Sequence, residues 1–214
     1  MKTRSVTVLD YGIGNLLNVL RAVEHCGASI LLARNGAEVD VAGTERLILP
    51  GVGAFGDGMA ELRARGFDDV VHRFAQTGRP FLGICVGLQM LFDASEEMGE
   101  HQGLGLIAGK VVAVPATTTA GESQRIPHIG WRPLQPAADW VGTIFEQVAP
   151  AERAYFVHSF SAQPSDAALR LADVEYGGHR LCAAVHRDNI YGCQFHPERS
   201  AHAGLAMLQR FLSS

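Results

Sequence analysis

The chain has 214 residues, 47% of them hydrophobic, with 18 Lys+Arg against 22 Asp+Glu and a formal net charge of -4. That is enough apolar material for a full core, and no basic run offers an electrostatic footprint for nucleic acid or an anionic membrane. The expected partners are a small molecule or another protein, with no nucleic acid and no membrane.

Four cysteines, Cys26, Cys85, Cys182 and Cys193, lie far apart with no C-x-x-C pair. They are too few for a secreted disulfide framework. The apolar stretch before Asp10 is too short for a signal-peptide core, and no run of ~18 apolar residues exists for a membrane span. A reduced, cytoplasmic protein is expected, with residues 1–214 forming a single domain.

In chain order, VTVLDY (6–11) reads as a buried strand, LLNVLRAVEHCG (16–27) as a helix closed by Gly27, and SILLA (29–33) as a strand. RLILPG (46–51) is a strand stopped by Pro-Gly. GMAELRARG (58–66) and FDDVVHRFAQTG (67–78) have helical spacing with terminal glycines, PFLGIC (80–85) is a buried strand, and VGLQMLFDAS (86–95) reads as a helix. Apolar strands alternating with helices predict an α/β fold with an open, mostly parallel sheet flanked by helices. Beyond residue 108 the texture becomes strand-rich: KVVAVPA, YFVHSFSA, LRLADVEYGG, HRLCAAVHRD and NIYGCQF, with ATTTAGESQ (116–124) as a loop and a last helix over 202–212.

The chemistry concentrates at two places. Gly83-Ile84-Cys85-Val86-Gly87 follows a buried strand and precedes a helix, the form of a nucleophile elbow carrying cysteine instead of serine. Glycines on both sides permit the tight turn, and the thiol is held at the carboxyl end of the sheet, where open α/β folds place their ligands. Its position at a helix start favours thiolate, and the Val86 N–H can point at an oxyanion. In GCQFHPERS (192–200), His196 follows a strand with Glu198 two residues on. A cysteine nucleophile needs an imidazole to take its proton and a carboxylate to orient that imidazole. Cys85, His196 and Glu198 supply those types.

With G-I-C-V-G-L-Q and Q-F-H-P-E in this order, the chain resembles the class I, triad-type glutamine amidotransferases. DYGIGNL (10–16), LPGVGAFGDGM (49–59), IPHIGW (126–131) and YFVHSF (155–160) narrow the resemblance to the glutaminase subunits of imidazole glycerol phosphate synthases, over residues 6 to 200. The resemblance implies the flavodoxin-like amidotransferase fold and hydrolysis of L-glutamine through a glutamyl thioester, without cofactor or metal. It also implies a heterodimer with a separate cyclase subunit of (β/α)8 type in histidine biosynthesis. Ammonia would pass to that cyclase, which makes imidazole glycerol phosphate and aminoimidazole carboxamide ribotide.

By the same resemblance, the second oxyanion donor comes from the turn at Val52 and Gly53, which would reorient when the partner binds its own substrate. Gly51, Gln89, Glu97, Ser159 and Phe160 would bind glutamine. Gln89 reads otherwise as a solvent-facing helix residue, and Glu97 as part of a solvated helix end. Asn15, Asn18, Ile129, Trp131 and Arg199 would face the partner, although a tryptophan is as readily core. Phe160 stands where the family pattern has Tyr, Arg199 where it commonly has Lys, and Arg132 where Asn is expected. Gly51-x-Gly53-x-x-Gly56 also matches a dinucleotide fingerprint, with Pro50 and Gly58 fitting it poorly. The alternatives are a glutaminase of another synthase, a free-standing cysteine hydrolase, and a non-catalytic regulatory subunit.

Overall fold

The computed structural model describes residues 4–214; Met1–Thr3, the start of the segment read as too short for a signal core, lie outside them. The elements run β1 (Arg4–Leu9), α1 (Leu16–His25), β2 (Ala28–Ala33), β3 (Leu47–Gly51), α2 (Phe55–Ala64), α3 (Phe67–Ala75), β4 (Phe81–Cys85), α4 (Val86–Met90), β5 (Phe92–Ser95), β6 (His101–Gln102) and β7 (Ile107–Ala113). They continue with β8 (His128–Pro133), β9 (Gln135–Pro136), β10 (Arg153–His158), β11 (Phe160–Pro164), β12 (Arg170–Tyr176), β13 (His179–Arg187), β14 (Ile190–Cys193) and α5 (Ala201–Phe211).

The main sheet has eight strands in the order β2-β1-β3-β4-β14-β13-β12-β9. Pairings from β2 through β14 are parallel, and those from β14 through β9 are antiparallel. Every residue of β3, β4 and β14 is buried, as expected of parallel strands covered on both faces. The covering helices are amphipathic. In α3, Phe67, Val70, Val71 and Phe74 recur at helical spacing and are all buried. Two smaller sheets, β10-β8 and β11-β7-β5-β6, lie in the strand-rich part of the chain. Among the described residues no helix is long and apolar enough to cross a membrane.

The predicted parallel sheet, its flanking helices and the strand-rich second half are all present, with differences at several element ends. The helix predicted over 86–95 stops at Met90, and Phe92–Ser95 is a strand. The carbonyls of Met90, Leu91, Phe92 and Asp93 accept from the amides of residues 103–107, so a distant segment captures the bonds a longer helix would need. Conversely, α2 begins at Phe55, three residues before the predicted start. Its first amide donates 2.7 Å to the carboxylate of Glu97, a cap supplied from elsewhere in the chain. The last four residues of IPHIGW, read only as a motif, form the start of β8.

The turn from β4 into α4 needs no loop. Cys85 ends the strand and caps the helix at φ 54, ψ -111, a conformation uncommon for a residue with a side chain. Glycines make this corner possible by letting backbones touch. A Cβ on Gly87 would lie 1.9 Å from the Leu49 carbonyl oxygen, and one on Gly51 would lie 2.6 Å from the Gly87 nitrogen.

Candidate active site

A cavity of about 260 Å³ opens at the carboxyl end of the parallel strands, lined by Val52, Gly53, Cys85, Val86, Gln89, Glu97, Ser159, Phe160 and His196, and also by Pro127, Val157 and His158. Residues from six separate stretches of sequence therefore meet around one thiol. All four cysteines are free thiols.

Cys85 and His196 are both buried, each only 4% exposed. His196 Nδ1 lies 2.9 Å from Glu198 Oε1, with the carboxylate side chain almost wholly enclosed behind it. Because a carboxylate only accepts, Nδ1 carries a proton. Nε2 is the ring nitrogen left for Cys85, and it has no formed hydrogen bond in this geometry. Burial is the largest influence on the imidazole and opposes its charge. The hydrogen-bonding approach of Cys85 and Glu198 and their negative charge outweigh it, raising the His196 pKa from 6.5 to about 10.

That raised pKa makes His196 stabilise the fold fully below about pH 6.5, with the contribution lost as pH climbs through about 10. In Cys85→Ala the imidazole loses one of its two favourable neighbours. Its NMR titration is expected to move to lower pH, and the alkaline fall in stability should start earlier. An unchanged His196 titration would mean that the thiol does not interact with it.

Val52 and Gly53 form the turn after β3, with Gly53 at φ +84. The Pro50 carbonyl just upstream accepts from the buried Tyr11 hydroxyl at 2.5 Å, which anchors the turn at its strand end. Gly51 does not line the cavity, contrary to expectation, because it is packed against α4 and Tyr11. The dinucleotide reading of these glycines also fails. The Glu97 carboxylate sits on the first amide of α2, where a bound pyrophosphate would have to lie.

Gln89 is buried rather than solvent-facing. Its Nε2 donates to the Phe160 carbonyl at 3.0 Å and to Gln194 Oε1 at 3.1 Å, leaving only its own oxygen for a ligand. Glu97 is partly buried in the turn after β5, not at a helix end, and one carboxylate oxygen remains beyond the bond to Phe55. Sequence reading missed Gln194, whose Nε2 points at the Cys85 sulfur at 3.7 Å. The available signal was its place two residues before His196 at a strand end, where alternate side chains share a face. Among the described residues no three His, Cys, Asp or Glu side chains gather as a metal site.

On the outer surface, Trp131 is 41% exposed and Ile129 53% exposed, so Trp131 is not a core residue. The Trp131 ring meets Tyr155 edge-on at 6.0 Å, and the Arg199 guanidinium lies over the same Tyr155 at 4.3 Å. Asn18 Nδ2 donates 2.8 Å to Asn15 Oδ1 at the start of α1. Helix α1 packs on the 3-10 turn Pro197–Arg199, which packs on β10, the partner strand of β8. These five residues thus sit on adjoining elements.

A family model for class I glutamine amidotransferases matches residues 7–214. The chain belongs to the class I glutamine amidotransferase family. Imidazole glycerol phosphate synthase subunit HisH 1 of Legionella pneumophila (strain Lens) is 48% identical to this amidotransferase over 211 residues, covering 97% of this chain and 98% of the relative. Subunit HisH of Syntrophotalea carbinolica is 44% identical, covering 96% and 98%. The structure of PurLQS from Thermotoga maritima aligns with a TM-score of 0.77 at 21% identity over 100% of this amidotransferase and 99% of that chain, a likeness of fold alone.

Proposed function

We propose that this amidotransferase is the glutaminase subunit of an imidazole glycerol phosphate synthase. It hydrolyses L-glutamine and hands ammonia to a separate (β/α)8 cyclase, with which it forms a heterodimer in the cytoplasm. The observation that carries the reading is a buried thiol, an imidazole with raised pKa and an enclosed carboxylate around one small cavity. The full-length similarity to HisH subunits supports the choice of synthase.

His196 takes the Cys85 proton, and the thiolate so formed attacks the side-chain amide carbon of glutamine. The developing oxyanion is held by the Val86 N–H and by an N–H from the Val52–Gly53 turn; each such donor contributes about 3 kcal/mol at the transition state. The C–N bond breaks as His196 gives its proton to the leaving nitrogen, releasing ammonia and a glutamyl thioester. Water, deprotonated by His196, then cleaves the C–S bond to give glutamate and restore the thiolate. Glu198 fixes the imidazole, the free oxygen of Glu97 receives the substrate ammonium, and the Ser159–Phe160 backbone brackets the amino acid. Ammonia released to neutral water would be protonated and lost as a nucleophile, so the cyclase takes it directly.

Acid quenching during turnover, followed by proteolysis and mass spectrometry, should find a glutamyl adduct on the Cys85 peptide. An adduct on another cysteine, or none while glutamate is being formed, would refute the mechanism.

The exposed Ile129, Trp131 and Arg199 with the half-buried Asn15 and Asn18 are the docking surface in this reading, with Trp131 its anchor. Trp131→Ala should weaken association with the cyclase by about 30-fold or more, the usual cost of losing such an aromatic. Calorimetric titration checks this, and an unchanged affinity would move the interface elsewhere.

A further inference from the structure

A line of buried polar side chains runs from the cavity wall, where Gln89 and His158 line it, to His128 behind, and the chemical steps just described do not use it. His158 Nδ1 lies 2.8 Å from the Phe160 carbonyl oxygen, and its Nε2 lies 3.0 Å from His128 Nδ1. The same Phe160 carbonyl receives Gln89 Nε2, which also reaches Gln194, and Gln194 reaches the sulfur of Cys85. His128, His158, Gln89 and Gln194 are all buried.

Hydrogen-bond logic assigns every proton in this line. The Phe160 carbonyl only accepts, so His158 Nδ1 must donate and its Nε2, in the neutral ring, must accept. His128 Nδ1 is then the donor, and its buried Nε2 is left as an acceptor without a partner. For the same reason Gln89 turns its NH2 toward Phe160, Gln194 turns its oxygen toward Gln89, and the NH2 of Gln194 faces the thiol. Burial, each other's proximity and nearby cations hold both rings neutral. His128 is lowered to about 3 by burial, His158 and Arg132. His158 is lowered to about 4 by burial, with the Phe160 bond opposing and His196 adding to the fall. The His128 ring is gripped by stacking on Phe156 and Tyr176.

We propose that His158, its tautomer locked by His128, is a positioning residue for the glutaminase site: with Gln89 it fixes the Phe160 carbonyl, and Gln89 orients Gln194 toward Cys85. A carbonyl held by two donors cannot rotate out of the cavity wall without leaving a buried donor unpaired. The Phe160–Ser161 peptide, at the end of the Ser159–Phe160 segment that brackets the substrate, is thereby set before glutamine arrives, which lowers the cost of ordering that segment on binding. This rests on the glutaminase reading.

The test uses side chains that mimic one ring nitrogen each, compared in the complex with the cyclase and its ribonucleotide. His128→Phe keeps the stacked ring and removes the donor that would otherwise be orphaned. On that background His158→Asn retains a donor at the Nδ1 position, whereas His158→Gln places its amide at the Nε2 position. The Asn variant should keep the glutamine KM within about threefold of wild type, and the Gln variant should raise it about tenfold with a smaller change in kcat, the scale of one lost hydrogen bond. Equal KM values in the two variants would overturn the proposal while leaving the glutaminase reading intact. Absence of Cys85-dependent glutamate release from the wild-type complex would overturn that reading and this proposal with it. Should the variants fail to fold, 15N-resolved histidine spectra of the wild type decide: both rings are expected as neutral Nδ1–H tautomers, and either one found as Nε2–H refutes the arrangement.

Discussion

Cys85→Ala is expected to reduce glutamate release by roughly 10⁴-fold or more, since removing a covalent nucleophile leaves only binding and the oxyanion donors to act on water. The fold should survive the change, with the stability loss confined to the His196 interaction described above. Apart from that neighbour the thiol receives the long contact from Gln194 at 3.7 Å, and alanine faces the same backbone conformation at φ 54 as cysteine does. Kinetics of glutamate formation alongside thermal melting check both halves. Activity within tenfold of wild type would show that Cys85 is not the nucleophile.

Gly87→Ala should cost about 3 kcal/mol or more and lower the melting temperature by about 10 °C, the scale of a steric overlap that side chains cannot relieve. The new methyl would meet the Leu49 carbonyl oxygen at 1.9 Å, and that group belongs to the backbone of a central strand. Either α4 moves away from β3 or the sheet distorts, and both would displace Val86 from the cavity. Gly78→Ala is the control. Gly78 has a positive φ of +73 and nothing within 4 Å of the added carbon, so it isolates conformational strain, worth about 1 kcal/mol. Melting curves for the two variants that coincide would rule out backbone crowding as the reason for Gly87.

The parallel sheet was readable because β3 and β4 are continuous apolar runs punctuated by glycine and proline, a pattern that burial on both faces imposes. At 86–95 the period itself misled: Gln89 and Asp93, four apart among apolar residues, fit a helix, and the choice was made by amides of residues 103–107. The early start of α2 was hidden for a similar reason, since its cap, Glu97, comes from a remote segment.

Around the thiol, residue types and order pointed to Cys85, His196 and Glu198, and the fold brings all three to one place. Gly51 was legible as special but not as to why. Its role is to admit α4 against β3, a contact between elements far apart in sequence. Gln194 and the paired rings of His128 and His158 were visible only as letters inside motifs. Their meaning lies in hydrogen bonds whose partners come from different sheets and from α4.

The most direct measurement is glutamate release from glutamine by the purified chain, alone and with a cyclase subunit carrying its ribonucleotide, with Cys85→Ala alongside. A partner-gated glutaminase predicts weak release alone, strong stimulation in the complex and none from the variant. Equal release with and without the cyclase, or release that survives the loss of Cys85, would contradict it.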